Sequence, residues 1–227
     1  SNLIRVPTRC SCFAGGEPTG SKRSTVVRKN IKVLRTKEKP TATKSYMWLY
    51  RTSRCSETPI ILYDYRTNRK AENAEKYLED FKGYLHTDGY KAYRSIDDVT
   101  IVGCWAHARR RFCEALEILP EEQRKDSTAA IGLDYCGKLY AIEKKMKDES
   151  PEDRLKERQE QAKSLRNIAP KSKLGKAVNY LIEEEPYLRR YIEDGRLEID
   201  NNRAERSIKP FVISRKNWFF ANTPSGA

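Results

Sequence analysis

No segment of the chain approaches the roughly 18 consecutive apolar residues that a membrane-spanning helix needs, so a span is excluded. The N-terminus lacks the compact apolar core of a secretory leader, which points to the cytoplasm. Histidine is scarce, with His86 and His107 the only two. Six cysteines (Cys10, Cys12, Cys55, Cys104, Cys113 and Cys136) follow no regular framework, and they read as reduced thiols. No aspartate occurs before Asp64, and the first 56 residues carry only two acids, Glu17 and Glu38. The chain begins at Ser1 rather than Met and reads as a fragment.

Positive charge is plentiful. The net charge is +13 and the pI is near 9.4. Residues Ser1 to Ser56 hold thirteen Lys or Arg against those two acids, so most of the excess lies in the first quarter. Such a balance favours a polyanionic partner, because Lys and Arg neutralise phosphates and release counterions. The bland alternative is a generally basic protein with no nucleic-acid role. At 227 residues the chain is long enough to bury a sizeable core, as one domain with an insertion or as two domains.

Residues 1–25 are rich in Gly, Pro, Ser and Thr, with no apolar period, and read as loop or disorder. Three strand-like runs follow: Val26–Leu34, Tyr46–Arg51 and Pro59–Tyr65. Ala71–Phe81 puts Ala74, Tyr77, Leu78 and Phe81 on one helical face. Tyr84–Thr87 is a short strand and Lys91–Ser95 a short helix. Val99–Trp105 is another strand, leading into a basic helix over Ala106–Leu119. That order is the element order of an RNase H-like fold: an α/β mixed sheet with flanking helices. The core's first part is thus expected over 26–119. From 120 to 196 the strand signals stop and charged, Leu- and Ile-dotted helices take over, with Pro170 and Pro186 as expected breaks. This reads as a large all-helical insertion, with 197–227 returning to the core.

Two acidic positions stand out. Asp88 follows the apolar run in G-Y-L-H-T-D-G and precedes Gly89, which permits a tight turn; taken alone, Asp-Gly is more often a plain turn. Glu205 lies in D-N-N-R-A-E-R-S-I-K-P, among Asn201, Asn202, Arg203, Arg206 and Lys209. A carboxylate set among cations and amides suits metal-assisted work on a phosphodiester, although a solvated helix end would look similar. Asn201, Asn202 and Arg203 would orient the helix start and contact the DNA backbone. Lys209 shares the helical face of Glu205. Arg215, Lys216 and Trp218 combine charge with a flat ring, as phosphate contact and base stacking require. Cys104 and His107 form C-x-x-H at a helix start. Cys113 and His86 are the only nearby candidates to complete a zinc site, and zinc is not expected. Arg109, Arg110 and Arg111 cannot all face a core, so part of that cluster meets solvent or DNA.

The Asp88 and Glu205 segments, together with C-W-A-H-A-R-R-R-F at Cys104–Phe112, resemble the transposase of the insertion sequence 66 family from about Ile31 to the end. The resemblance implies three acids on an RNase H-like fold that hold two divalent ions, Mg2+ or Mn2+, to cut and join DNA. By that match Asp88 is the second acid and Glu205 the third, 117 residues later (205 − 88), with the helical insertion between them. It further implies transposon ends and target DNA as partners, a homodimer, and a supporting place for Cys104 and His107.

The same resemblance places the first acid just before Ile31, where this chain reads Val26-Val27-Arg28-Lys29-Asn30. No acid stands there, which suggests a shifted reading frame upstream. The expectation is a DDE-type catalytic region that does not catalyse transposition as written. Asp64, at the end of the third strand, is the one substitute, with a structural role more in keeping with its place. The competing readings are a DNA-binding remnant that contacts transposon ends without cutting, an RNase H-like nuclease unrelated to transposition, and a zinc-stabilised binding module.

Overall fold

The computed structural model describes residues 22–33, 43–56, 59–165 and 175–218, with side chains over 45–56, 59–161 and 179–210. Most of the expected leader therefore lies outside the described residues, as does Pro170. The chain divides into two compact units, one running to Ile101 and resuming at Asn201, the other spanning Val102–Asp200. The basic helix grouped above with the core belongs to the second unit.

The first unit is built on a five-stranded sheet in the order β3-β2-β1-β4-β5. Its strands are β1 (Lys22–Val33), β2 (Thr43–Thr52), β3 (Ile61–Arg66), β4 (Gly83–His86) and β5 (Val99–Val102). Strands β1 to β3 pair antiparallel, and β4 runs parallel to β1 with Thr25 beside His86. The first strand starts at Lys22, four residues before its expected Val26, because a polar K-R-S-T run pairs as readily as an apolar one when backbone partners lie on both sides.

Alternation along β2 divides two cores. Met47 and Leu49 pack with Ala204 and Ile208 of the helix over Asn202–Trp218, with Tyr65 against them. Trp48 and Tyr50 serve the opposite side. Trp48 meets Tyr93 edge-on at 6.0 Å, and Tyr50 stacks on Tyr77 at 3.9 Å. Tyr77 belongs to α1 (Ala71–Tyr77), and Tyr93 to a 3₁₀ turn at Lys91–Ser95. The expected helix to Phe81 ends at Tyr77, yet Leu78 and Phe81 stay buried.

The second unit is helical: α2 (Trp105–Ile118), α3 (Glu121–Arg124), α4 (Thr128–Lys145), α5 (Pro151–Leu165) and α6 (Gly175–Leu188). Trp105 opens α2 instead of closing the preceding strand; its indole donates to the Leu188 carbonyl at 3.1 Å. Gly132 lets α4 close onto α2: a Cβ there would lie 2.4 Å from the Phe112 ring. Pro186 does not break a helix but sits within the last turn of α6. It forfeits a single i→i−4 bond, and after Leu188 the chain passes into a 3₁₀ turn at Arg189–Ile192. The helix that returns to the first unit is α7 (Asn202–Trp218).

Candidate active site

Asp88 stands two residues beyond the end of β4, after the buried Thr87. The turn holding it is closed by its own side chains. Tyr90 N–H donates to Asp88 Oδ1 at 3.2 Å, and Gly89 N–H to Thr87 Oγ1 at 3.4 Å. Gly89 takes φ 79°, a left-handed value that explains the glycine. Tyr90 fixes the turn from below, its hydroxyl donating to the Arg69 carbonyl at 3.0 Å. The result is a half-buried carboxylate on a rigid turn at a strand's C-terminal end.

Glu205 lies in the first turn of α7. Asn201, 1% exposed, precedes the helix, and its carbonyl accepts the Glu205 N–H at 3.0 Å. Asparagine is a favoured residue at such a start. The rotation of α7 about its axis is then set by unlike contacts on its flanks. Ala204 and Ile208 face the sheet on Met47 and Leu49. One residue before each of them stand Arg203 and Ser207, which turn toward β2 and β3. Arg203 Nη2 donates to the Thr52 carbonyl at 2.9 Å, Arg51 Nη1 donates to the Arg203 carbonyl at 3.2 Å and to Ser207 Oγ, and the Tyr63 hydroxyl donates to the Ser207 carbonyl at 2.9 Å.

At about 100° per residue, the position after Ala204 falls on the other flank. That position is Glu205. The helix lies against β1 and β2, so the Glu205 flank is the one toward β1 and β4. Asp88 lies two residues past β4, the strand next to β1 in the sheet. The two acids, 117 positions apart in sequence (205 − 88), belong to one unit.

Asp64 is placed elsewhere. It pairs with Trp48 across β2 and β3, so it shares the sheet side opposite α7. Arg66 Nε holds it at 2.7 Å. Burial pushes its carboxyl above the usual range, against the pull of Arg66. Burial also raises the neighbouring Tyr77 to about 12. An acid on that face, already ion-paired, cannot join Glu205 across the sheet.

The other sequence-derived candidates divide by unit. In the first, Arg206 and Lys209 are exposed and Asn202 half-buried. Arg203, expected to orient the helix start and touch DNA, donates from Nη2 to the Thr52 carbonyl. Arg215, Lys216 and Trp218 lie on α7, with side chains outside the described residues. In the second unit, Arg109, Arg110 and Arg111 are exposed on α2. Arg111 pairs with Glu114 at 3.1 Å and covers the Tyr180 ring at 5.7 Å. Cys104 is buried just before α2, its carbonyl accepting the His107 N–H at 3.1 Å. Sequence reasoning missed Arg51, Tyr63 and Ser207; nothing in Y-R-T or E-R-S signals a contact across more than 140 residues.

Among the described residues, no three His, Cys, Asp or Glu side chains group as metal ligands. The donor set of Asp88 and Glu205 nonetheless suits one hard divalent ion, since Mg2+ is commonly held by one or two carboxylates with water and substrate phosphate. The strand β1, Lys22–Val33, contains no Asp or Glu.

These features define a mixed α/β unit with two acids carried on separate elements, the turn after β4 and the start of α7, and connected in sequence through a helical unit. The chain matches the family described as Transposase IS66 family over residues 29–227, and it belongs to that family. It is 30% identical over 210 residues to the uncharacterized protein y4qI of Sinorhizobium fredii (strain NBRC 101917 / NGR234), covering 81% of this chain and 38% of that one. A second uncharacterized protein of the same organism, y4jD, is 30% identical over 189 residues, covering 74% of this chain and 36% of the other. The chain thus spans well under half the length of these curated relatives. No solved structure matches it. Among the described residues, no helix is long and apolar enough to cross a membrane.

Proposed function

We infer that this chain is the catalytic region of a DNA transposase, with Asp88 and Glu205 as two of its three metal-holding acids, and that it does not cut DNA as written. The observation that supports this reading is that both acids belong to one unit, Asp88 two residues past β4 and Glu205 in the first turn of α7, each on an element fixed by its own contacts. The three antiparallel strands followed by a parallel β4 support an RNase H-like reading of the sheet. A bound divalent ion would supply charge stabilisation on the phosphate under attack. The protein's share is to hold the two carboxylates, and exposed Arg206 and Lys209 on the same helix would take up the DNA backbone.

The register supports position 27 as the place of the missing acid. The parallel ladder ends at Thr25 beside His86; two further steps bring position 27 level with Asp88 (25 + 2 and 86 + 2). In the antiparallel ladder the same position stands opposite Leu49, which lies under α7. Valine there leaves the set one donor short. Val27→Asp is expected to confer Mn2+-dependent nicking of plasmid DNA, by about 100-fold or more over the parent chain, since metal charge stabilisation is worth several kcal/mol. Asp88→Asn or Glu205→Gln in that background should remove it. A folded Val27→Asp chain that binds DNA but never nicks it would favour the DNA-binding remnant.

A further inference from the structure

The geometry points to Arg51 as a positioning residue that aims Glu205 from the opposite flank of α7. This rests on the reading of Glu205 as a metal-holding acid. Arg51 lies near the end of β2, half-buried, and one of its terminal nitrogens reaches both the Arg203 carbonyl and the Ser207 hydroxyl. Ser207 Oγ in turn donates to the Arg203 carbonyl at 3.0 Å. The Arg203 guanidinium returns across the same gap to the Thr52 carbonyl at 2.9 Å, and Tyr63 reaches the Ser207 carbonyl from β3. All these bonds fall on one flank of α7, and Glu205 is on the other. The apolar seam of Ala204 and Ile208 holds the helix down but resists rolling poorly, because hydrophobic contact is non-directional. Directional bonds from a planar guanidinium do resist it. Rolling α7 by one side-chain width would swing Glu205 away from the β4 end. A site of this kind tolerates only about 10–20° of such error.

Arg51 therefore belongs to the active-site assembly although it is basic and close to the proposed DNA path. Its guanidinium bonds the Arg203 carbonyl and the Ser207 hydroxyl, so its removal should alter metal geometry before it alters DNA affinity. The test is iron-directed cleavage of the full chain. Fe2+ substituted for Mg2+, with ascorbate and peroxide, generates radicals that cut the backbone beside the ion. The parent chain should be cut near both Asp88 and Glu205. Arg51→Met, checked for folding by its melting curve, should keep the cut near Asp88 and lose about tenfold near Glu205, the scale seen when groups supporting a ligand are removed. Ser207→Ala, which deletes only a hydroxyl, should shift the ratio in the same direction by less, and it serves if Arg51→Met does not fold. Unchanged ratios in folded variants would overturn the positioning role and leave the metal reading intact. No cut near either acid in the parent chain would overturn the metal reading, and the positioning role with it.

Discussion

The two units of this chain use arginine in opposite ways. In the sheet unit, Arg51 and Arg203 are half-buried and bond carbonyls and a hydroxyl between β2 and α7. In the helical unit, Arg158 is 1% exposed and wholly committed. It grips Glu143 with two bonds of 2.6 and 2.7 Å, donates to the carbonyls of Tyr191, Asp194 and Leu197, and lies over the Tyr191 ring at 5.2 Å. The difference teaches what each arrangement is for. Neutral acceptors on a half-exposed flank set an angle, whereas a buried ion pair wrapped in carbonyls fixes a fold and penalises any loss.

The sharpest way to break the comparison is at Arg158. Arg158→Met would strand Glu143 in the helical unit and leave three carbonyls short of a donor. A loss of about 3–5 kcal/mol is expected, read as a lower urea midpoint. Loss below 1 kcal/mol would mean the pair is not the lock described. Next comes Gly132→Ala, which drives a methyl against Phe112 where α4 meets α2. About 1–3 kcal/mol should be lost, again in the helical unit, with the sheet unit's near-ultraviolet tyrosine signal retained.

The smallest effect belongs to Asp64. Asp64→Asn should change stability by less than about 1 kcal/mol at neutral pH, because the desolvation it relieves opposes the Arg66 bond it weakens. The sign with pH is definite. A carboxyl whose folded value is raised contributes stability below its ordinary 3.8, and that contribution is lost as pH rises through the folded value. The asparagine chain should therefore gain on the parent as pH rises, in paired thermal melts. It should also leave iron cleavage at Asp88 untouched, which an Asp64 metal ligand would not.

Legibility in the sequence followed periodicity. The aromatic-rich run Tyr46–Arg51 and the helical face of Ala74 and Tyr77 announce their elements, and the structure places them there. The start of β1 was not legible, since Lys22–Thr25 carries no apolar signal while its backbone pairs with β2 and β4. Pro186 misled because its cost depends on distance from the helix end, which the residue itself does not reveal. Arg158 looked like one more charge on a solvated helix in D-R-L-K-E-R; only the fold brings Glu143 and three carbonyls around it. At the site, Asp88 and Glu205 were legible as acids in unusual company. Arg51 was not, because its partners lie 152 and 156 positions away.

The helical unit also carries a clasp. Where the chain enters it, Trp105 N–H donates to the Ile199 carbonyl at 3.2 Å, and Gly103 N–H to Tyr187 at 2.9 Å; where it leaves, Tyr140 donates to Asp200 at 2.9 Å. The two ends of the segment are thus fastened by the segment itself. A chain with clasped ends can lengthen or shrink with only a logarithmic entropic penalty to whatever it connects. The long stretch between Asp88 and Glu205 works like a closed purse, whose contents can change while its clasp stays shut.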